Sequence, residues 1–359
     1  MKLVRKDILN LKPYIAGKPI EETKRQLGLK SVIKLASNEN PLGASPLALK
    51  AAKNALLGIN RYPDSQGFYL KRKLAGYFNL YPSNFVLGNG SDELIDVIIK
   101  TFVETDESII TADITFLEYK IIAQGNGRRI VEVPLKYYKY DLDAIRKRID
   151  EKTKLIFISN PNNPTGTYVT NYEIKEFMEG LPKDILLVLD EAYDAFIDAD
   201  DFPNSLGHIR GGNVIILKTF SKAYGLAGLR VGYAIADAEL VSYMERVRQP
   251  FNVNSLAQAA AVAALEDRKF LARTREVVLE GKGFLYAQLT KLGLAYVPSV
   301  ANFILIDIGR DSRAFFRRML SCGIIVRDMK QYGLKNFIRV TIGTKKENEK
   351  FIKILKKVL

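Results

Sequence analysis

The sequence predicts an α/β protein with a largely parallel sheet covered by helices on both faces, together with a smaller α+β domain. Short apolar runs rich in β-branched residues alternate with amphipathic helical patterns, which is typical of buried parallel strands. One such helical pattern spans residues 94–102, where apolar residues form a single face. The seven predicted strands lie at residues 85–87, 108–110, 130–133, 155–158, 185–189, 214–217 and 231–235.

The pattern changes after about residue 249. An alanine-rich stretch at 257–265 leads into a long charged helix at 267–292, and short strands follow around 303–306 and 337–341. We therefore predict two domains, with the N-terminal residues forming an arm of the second. The large domain covers residues 42–250, and the small domain combines residues 1–41 and 251–359.

The composition is that of a soluble globular chain. Of 359 residues, 47% are hydrophobic and 26% are charged, which excludes collagen-like, disulfide-stapled and disordered classes. The single cysteine, Cys322, cannot form an intrachain disulfide. The sequence has no apolar window long enough to span a membrane, and the charged N-terminus argues against a signal peptide. We expect a cytoplasmic protein without membrane contact.

The net charge of +14, from 54 basic and 40 acidic residues, raises the question of nucleic-acid binding. The lysines of the C-terminal segment 345–357 alternate with apolar residues at helical spacing, so they form the solvated face of an amphipathic helix. The sequence contains neither an RNA-binding signature nor a zinc-ligand spacing. We therefore expect no nucleic-acid partner and no metal, and the positive field can instead attract an anionic cofactor or substrate.

Polar residues with chemical potential follow directly after several predicted strands, which is where open parallel sheets bind ligands. The run 88–93, Gly-Asn-Gly-Ser-Asp-Glu, precedes a helix whose free N–H groups suit an anion. It lacks the third glycine of a dinucleotide-binding loop and the lysine of a Walker loop. A turn capped by Ser91 or Asp92 explains it equally well.

Three further runs follow strands. In the loop 160–166, two prolines and a glycine leave Asn162 and Asn163 presented at the strand end. Asp190 follows the strand 185–189, where a buried carboxylate needs a partner unless it caps a helix. Lys222 lies in a hydroxyl-rich run; desolvation would lower its pKa and make it a nucleophile, whereas the alternative is a surface lysine.

These motifs, taken in order, resemble the fold-type-I pyridoxal-phosphate-dependent aminotransferases. The matching segments are NPNNPTG (160–166), DEAY (190–193) and TFSKAYGLAGLR (219–230). Further segments resemble the histidinol-phosphate branch of that family, so that the resemblance covers essentially the whole chain. They are KLASNENPLG (34–43), RYPD (61–64), GNGSDE (88–93), VRD (326–328) and FIRVTIGT (337–344).

The resemblance implies roles around the cofactor, pyridoxal 5'-phosphate. Lys222 would bind it covalently and then move the proton at the substrate α-carbon. Asp190 would pair with the pyridinium nitrogen, while Asn163 and Tyr193 would hydrogen-bond the phenolic oxygen. Phe116 would stack on the ring in place of the family's more common tyrosine. The cofactor phosphate would be held by the Ser91–Asp92 backbone, Thr219 or Ser221, and Arg230.

The resemblance also implies a homodimer and a substrate site. Tyr62 would reach the cofactor phosphate of the neighbouring subunit; the alternative is simple core packing. Arg339 would receive a substrate carboxylate or phosphate. Arg327 would be a second anion ligand unless it pairs with Asp328. The remaining implied substrate-side residues are Tyr14 and Asn40, with Asn302 as a weaker candidate, whereas His208 matches no functional position.

The predicted reaction is transamination between histidinol phosphate and 2-oxoglutarate, giving imidazole-acetol phosphate and glutamate in histidine biosynthesis. An aromatic amino-acid aminotransferase is the first alternative, because residues 329–334 could set a different side-chain specificity. Threonine-phosphate decarboxylase, a lyase, would use the same Lys222 and Asp190. A basic nucleic-acid-binding protein on a dead enzyme fold is the alternative from another class, and the intact Lys222, Asp190 and Arg230 argue against it.

Overall fold

A computed structural model describes residues 3–9, 11–15 and 17–359, so positions 1, 2, 10 and 16 of the predicted N-terminal arm lie outside the described residues. The strands in chain order are β1 (Ile33–Lys34), β2 (Phe85–Gly88), β3 (Ser108–Ala112), β4 (Arg129–Val133), β5 (Thr153–Ser159), β6 (Leu186–Asp190), β7 (Val214–Thr219), β8 (Gly232–Ala236), β9 (Tyr296–Val297), β10 (Phe303–Asp307), β11 (Ile324–Ile325), β12 (Arg327–Asp328) and β13 (Phe337–Thr341).

The α-helices begin with a short turn near the N-terminus and end with the C-terminal helix. They are α1 (Lys6–Leu9), α2 (Ile20–Leu27), α3 (Pro46–Ala55), α4 (Phe68–Phe78), α5 (Ser91–Phe102), α6 (Glu118–Gly125), α7 (Leu142–Arg146), α8 (Asn171–Glu179), α9 (Ala238–Val247), α10 (Ser255–Ala264), α11 (Arg268–Lys291), α12 (Ser312–Ser321) and α13 (Lys345–Val358). The long helix predicted at 267–292 corresponds to α11.

The main sheet has seven strands in the order β2-β8-β7-β6-β5-β3-β4, and each of the seven predicted runs overlaps one of them. The α/β prediction is therefore confirmed. All neighbouring pairs are parallel except those made by β8, which runs antiparallel to both β2 and β7. The connection 220–231 between β7 and β8 contains a single 3₁₀ turn and no α-helix. Because a parallel crossover usually needs a helix, this short connection returns the chain antiparallel.

Both faces of this sheet are buried. On β2, Phe85 and Leu87 join one apolar cluster while Val86 between them joins the other, as the alternation of side chains in a strand requires. Helices α5, α6 and α9 supply the cluster around Val86. Helices α3, α4, α8 and α10 supply the opposite one. The near-continuous apolar runs in the sequence follow from this double coverage.

The C-terminal part of the chain forms a four-stranded antiparallel sheet in the order β12-β13-β10-β9. Helices α11, α12 and α13 pack with it around a separate apolar core that includes Phe303 and Phe351. The N-terminal segment joins this part, because β1 pairs in parallel with β11. The exact limits of the two domains stay a prediction.

The carboxyl ends of β2, β5, β6 and β7 meet at one edge of the main sheet, since these strands run in the same direction. A buried ion pair fastens two of these ends: Lys218 on β7 donates to Glu191 Oε2, after β6, at 2.7 Å. Lys218 also contacts Asp194. The ends of β6 and β7 therefore hold a fixed spacing, and the loops that follow them carry the candidate site.

None of the helices in the described residues combines the length and the apolar character needed to cross a membrane. The same residues hold no group of three or more His, Cys, Asp or Glu side chains placed to bind a metal ion.

Candidate active site

A cavity of about 250 Å³ opens at the carboxyl edge of the main sheet, and most of the side chains predicted for the site line it. Residues from the loops after β2, β5, β6 and β7 form its floor. Arg339 on β13 and Tyr14 from the N-terminal arm close the other side. A larger cavity of about 650 Å³ lies elsewhere and contains none of the predicted site residues.

Lys222 faces this cavity from the loop after β7. Its Nζ donates to the carbonyl of Ser37 at 3.3 Å and lies 5.6 Å from the centre of the Tyr193 ring, and it forms no ion pair within the described part of the chain. Burial, followed by the positive charge of Arg339, lowers the pKa of Lys222 to about 8. The amine is therefore partly neutral near neutral pH, so the alternative of a surface lysine is wrong.

Asp190 ends β6 and is 4% exposed. Its Oδ2 accepts a hydrogen bond from the Tyr119 hydroxyl at 2.6 Å, and its Oδ1 accepts one from the backbone N–H of Ala192 at 3.1 Å. Burial raises the pKa of Asp190 to about 6, against the opposing effect of these two donors. At neutral pH one cavity thus contains both a buried carboxylate and a lysine of lowered pKa.

The three asparagines after β5 have different tasks. Asn160 Oδ1 accepts from the backbone N–H of Val169 at 2.9 Å, and Asn162 Oδ1 accepts from Thr115 Oγ1 at 2.8 Å. These two side chains hold the loop. Asn163 lines the cavity instead, and its Oδ1 accepts a hydrogen bond from Arg339 Nη1.

Tyr193 follows Asp190 into the same cavity and is 4% exposed. Its hydroxyl accepts a hydrogen bond from Asn38 Nδ2 at 2.9 Å, and its ring meets Phe303 edge-on at 5.1 Å between ring centres. Burial raises the pKa of Tyr193 to about 12, so the phenol stays protonated at neutral pH. It can therefore donate a hydrogen bond into the cavity.

The start of α5 lies at one corner of the cavity, together with Thr219, Ser221 and Arg230. Gly90 is the N-cap, and no side-chain hydrogen bond caps the helix. The turn is thus not capped by Ser91 or Asp92, and the helix N–H groups are open to a ligand.

Two glycines make room for this corner. Gly90 has φ +89°, and a Cβ there would lie 2.3 Å from Arg230 Nη2. A Cβ on Gly232 would lie 2.7 Å from the backbone nitrogen of Ser91. Arg230 itself donates to Asp92 Oδ2 at 2.9 Å and to Ser221 Oγ at 3.5 Å. The close approach of guanidinium and backbone leaves no space for a larger residue at either glycine.

Two arginines lie directly opposite each other on neighbouring strands, Arg327 on β12 and Arg339 on β13. Arg339 is 4% exposed, donates from Nη2 to the carbonyl of Ala36 at 2.9 Å, and has an Nε without a partner. Arg327 donates to Gln331 Oε1 at 3.4 Å and lies 5.2 Å from the centre of the Tyr14 ring. Neither forms an ion pair within the described residues, so this pair of buried like charges calls for an anion.

The alternative partner of Arg327 is wrong. Asp328 accepts hydrogen bonds from Ser312 Oγ at 3.0 Å and from the backbone N–H of Lys330 at 2.8 Å instead. Adjacent side chains on a strand point to opposite faces, which separates Arg327 from its neighbour in sequence. Arg327 does not line the cavity itself but stands behind Tyr14.

Three other named residues also lie outside the cavity. Asn40 donates to the carbonyl of Ala223 at 2.8 Å and to Thr274 Oγ1 at 3.1 Å, so it secures the loop that carries Lys222. Asn302 is fully buried and donates to the carbonyl of Asn38 at 3.1 Å. His208 is half-buried in a 3₁₀ turn and is not among the cavity residues.

Tyr62 also lies outside the cavity of its own chain. It is 82% exposed and stacks on Phe251 with ring centres 4.7 Å apart. The alternative of core packing is therefore wrong, and the shared role across a dimer stays a prediction.

Sequence reasoning did not assign six of the residues that line the cavity, Ser37, Asn38, Glu118, Ser159, Ala192 and Ala227. It also missed Tyr119, which contacts the cavity residue Asp190. Asn38 and Ser37 lie inside the matched segment 34–43, where Asn38 adopts a left-handed φ of 54°. Glu118 and Tyr119 lie two and three residues after Phe116, whose ring meets Tyr119 edge-on at 5.6 Å. The segments themselves were visible in the sequence, but their partners come from distant parts of the chain.

The arrangement suits a planar anionic cofactor that reacts with a primary amine. It offers a lysine of lowered pKa, a buried carboxylate for a protonated ring nitrogen, hydrogen-bond donors beside the lysine, and an anion-binding corner at a helix start. A second anion can bind near the buried arginines, on the side opposite the main sheet.

Comparison with known proteins agrees with this chemistry. Residues 30–355 match the family described as aminotransferase class I and II. The histidinol-phosphate aminotransferase of Moorella thermoacetica is 50% identical, over 99% of this chain and 92% of that protein. The histidinol-phosphate aminotransferase of an Anaeromyxobacter species is 45% identical over 100% of both chains.

A solved structure is similar along its whole length. The histidinol-phosphate aminotransferase from Sinorhizobium meliloti, crystallised in complex with pyridoxal-5'-phosphate, has a TM-score of 0.92 and 30% identity, covering 100% of this chain and 98% of that one. These similarities confirm the fold-type-I resemblance seen in the motifs. The chain belongs to the class I and II aminotransferase family.

Proposed function

We propose that this aminotransferase uses pyridoxal 5'-phosphate to transfer an amino group between histidinol phosphate and 2-oxoglutarate, giving imidazole-acetol phosphate and glutamate. The observation that carries the proposal is the pair Arg327 and Arg339 beside the cavity that contains Lys222. Histidinol phosphate supplies a phosphate and glutamate supplies carboxylates, so both amino substrates bring the anion that these arginines lack. The names of the relatives at 45% and 50% identity support the same substrate.

The residues of the cavity fit the cofactor. Lys222 would bind it covalently, Asp190 would pair with its ring nitrogen, and Asn163 with Tyr193 would hydrogen-bond its phenolic oxygen. Phe116 would stack on its ring. Ser91, Asp92, Thr219, Ser221 and Arg230 form the corner that would hold its phosphate. When bound, pyridoxal phosphate supplies an electron sink for the charge that remains after the α-proton leaves the substrate.

Lys222 would also be the base of the reaction. Because burial lowers its pKa to about 8, a useful fraction of Nζ is neutral near pH 7 and can take the proton from the substrate α-carbon. Asp190 stays ionised at the same pH, because its pKa of about 6 lies below it. In the same desolvated cavity, Lys222 would therefore accept a proton while Asp190 would supply a negative charge.

A panel of amino donors tests the proposed substrate. Addition of histidinol phosphate or glutamate to the purified holoenzyme should convert the cofactor to its amine form. Absorbance spectroscopy of the cofactor measures this conversion. Phenylalanine and tyrosine should react far more slowly, because they bring neither a phosphate nor a side-chain carboxylate to the arginines. Aspartate should react more slowly than glutamate, because its side-chain carboxylate lies one methylene nearer the α-carbon. Lys222→Ala is the control that removes all half-reactions.

Two results of the same panel would replace the proposal. Faster conversion by phenylalanine or tyrosine than by histidinol phosphate identifies an aromatic amino-acid aminotransferase. Release of carbon dioxide from threonine phosphate, without net transamination, identifies the decarboxylase.

The two arginines should differ in their effects on the two half-reactions. Arg339→Ala should lower kcat/KM for both histidinol phosphate and glutamate by about 10- to 100-fold, the size of one or two lost charge-assisted hydrogen bonds, and Arg339→Lys should lose less. Arg327→Ala should affect histidinol phosphate more than glutamate. Arg129→Ala, a change at an exposed arginine, is the control. Unchanged kcat/KM for both substrates in Arg339→Ala would place the substrate anion elsewhere.

The active form is proposed to be a homodimer. Large apolar side chains are exposed along the segment that contains α3, α4 and the link between them, which is unusual for a monomer surface. The most exposed are Leu57 at 92%, Tyr62 at 82% and Tyr69 at 77%, with Ile59 at 64% and Phe68 at 52%. A second copy of the chain covering this segment would bring Tyr62 to the neighbouring cofactor phosphate.

Mixed dimers test this arrangement. Tyr62→Ala and Lys222→Ala should each be strongly defective alone. If Tyr62 acts on the neighbouring subunit, a mixed dimer of the two variants contains one intact site and should recover about half of the wild-type activity per dimer. Refolded or co-expressed mixtures, purified with two different tags, provide the measurement. No recovery would show that Tyr62 serves its own subunit, and full activity of Tyr62→Ala alone would show that it serves neither. Tyr69→Ala in place of Tyr62→Ala is the control.

A further inference from the structure

A hydrogen bond between Tyr119 and Asp190 links helix α6 to the end of β6. Helix α6 carries no predicted site residue. Tyr119 lies in the first turn of α6, and its hydroxyl donates to Asp190 Oδ2 at 2.6 Å. The other carboxylate oxygen accepts a single backbone N–H, from Ala192 at 3.1 Å. Tyr119 is thus the sole side chain among the described residues that donates to Asp190.

Packing fixes the orientation of this phenol. Tyr119 is fully buried, and its ring stacks on Phe157 with centres 4.7 Å apart and planes 8° apart. Burial and the charge of Asp190 raise the pKa of Tyr119 well above its usual value, so the hydroxyl keeps its proton and donates it to the ionised carboxylate. The hydrogen bond therefore runs from Tyr119 to Asp190 wherever Asp190 is ionised.

Asp190 depends on this donor because its surroundings otherwise oppose a negative charge. Burial raises its pKa, and the charges of Asp92 on α5 and Glu191 after β6 add to that effect. Tyr140 and Tyr193 are the other titratable side chains that interact with it, and both are neutral phenols at neutral pH. Asp190 forms no ion pair within the described residues, and its side chain has two hydrogen bonds there, from Tyr119 and from the backbone of Ala192.

We propose that Tyr119 is a positioning residue that holds the Asp190 carboxylate ionised and turned toward the cavity. The inference rests on the proposed function, in which Asp190 pairs with the cofactor ring nitrogen. With Oδ2 fixed by Tyr119 and Oδ1 by the backbone, the remaining lone pairs have a set direction. Loss of the phenol would leave a buried carboxylate that protonates more readily and turns more freely.

Carboxyl NMR on the cofactor-free full-length chain measures the predicted change directly. The Asp190 signal, in protein labelled with ¹³C at aspartate carboxyls, is assigned by its loss in Asp190→Asn. Tyr119→Phe keeps the ring and its stacking, and should raise the titration midpoint of Asp190 by about 1 to 2 pH units, the size expected for one charge-assisted hydrogen bond. At pH 7, half or more of Asp190 would then be protonated.

Tyr140→Phe is the matched control. Tyr140 is another buried tyrosine of the same region, but its hydroxyl contacts Thr115 Oγ1 at 2.7 Å and the backbone N–H of Ser159 at 3.2 Å rather than Asp190. This variant should leave the Asp190 midpoint in place. An equal shift in both variants, or no shift in Tyr119→Phe, overturns the proposal.

Two further readouts keep the test decisive. In the unsubstituted chain, exchange of the Tyr119 hydroxyl proton for deuterium should shift the Asp190 carboxyl resonance. This measurement needs no variant, so it remains possible if Tyr119→Phe folds poorly. The absence of an isotope shift would contradict the contact.

In the holoenzyme, Tyr119→Phe should lower kcat by the same factor, roughly tenfold, for every amino substrate that wild type accepts, with KM nearly unchanged. A different choice of substrate by wild type would overturn the proposed function but leave the titration result intact.

Discussion

Desolvation of charge at the carboxyl edge of the main sheet is the constraint on which the rest of the site depends. The same exclusion of water acts in opposite directions on the two central groups: it raises the pKa of Asp190 to about 6 and lowers that of Lys222 to about 8. Near neutral pH the carboxylate is charged while the amine is partly neutral. A more open cavity would return both groups to ordinary values, with the lysine fully protonated and unreactive.

Ion pairs and hydrogen bonds from neighbouring side chains position the charged groups around the cavity. The ends of β6 and β7 are tied by the buried pair of Lys218 and Glu191, which fixes the distance between Asp190 and the loop that carries Lys222. From the other sheet, Arg339 adds positive charge near Lys222 and hydrogen-bonds Asn163. The pair Arg327 and Arg339 is left without acidic partners, and in the proposed reaction the substrate anion completes this balance.

The main sheet and the strand-end residues were readable from local sequence, because buried parallel strands have a distinct apolar pattern and their ligand residues follow directly after them. The antiparallel return of β8 was not foreseen, since it depends on the missing helix in the connection 220–231. The contact of Tyr119 with Asp190 and that of Asn38 with Tyr193 join positions 71 and 155 residues apart. Local patterns carry no information on such pairs.

The residues that stand outside the cavity illustrate the same limit. The resemblance placed Asn40 near the substrate, whereas in the structure its amide bonds the backbone next to Lys222. The 82% exposure of Tyr62 depends on how the folded chain packs, and the segment 61–64 alone does not indicate it. Sequence motifs therefore indicate which residues belong to the site region, and the three-dimensional contacts separate those that face the cavity from those that support it.

One lysine, in one desolvated cavity, carries the covalent chemistry proposed for the protein. Borohydride reduction of the purified holoenzyme, followed by peptide mapping, tests it most directly. Covalently fixed cofactor should be found on the peptide that contains Ser221, Lys222 and Ala223, and Lys222→Ala should remain folded without retaining any label. Recovery of the label on a different lysine, or undiminished labelling of Lys222→Ala, would contradict the account.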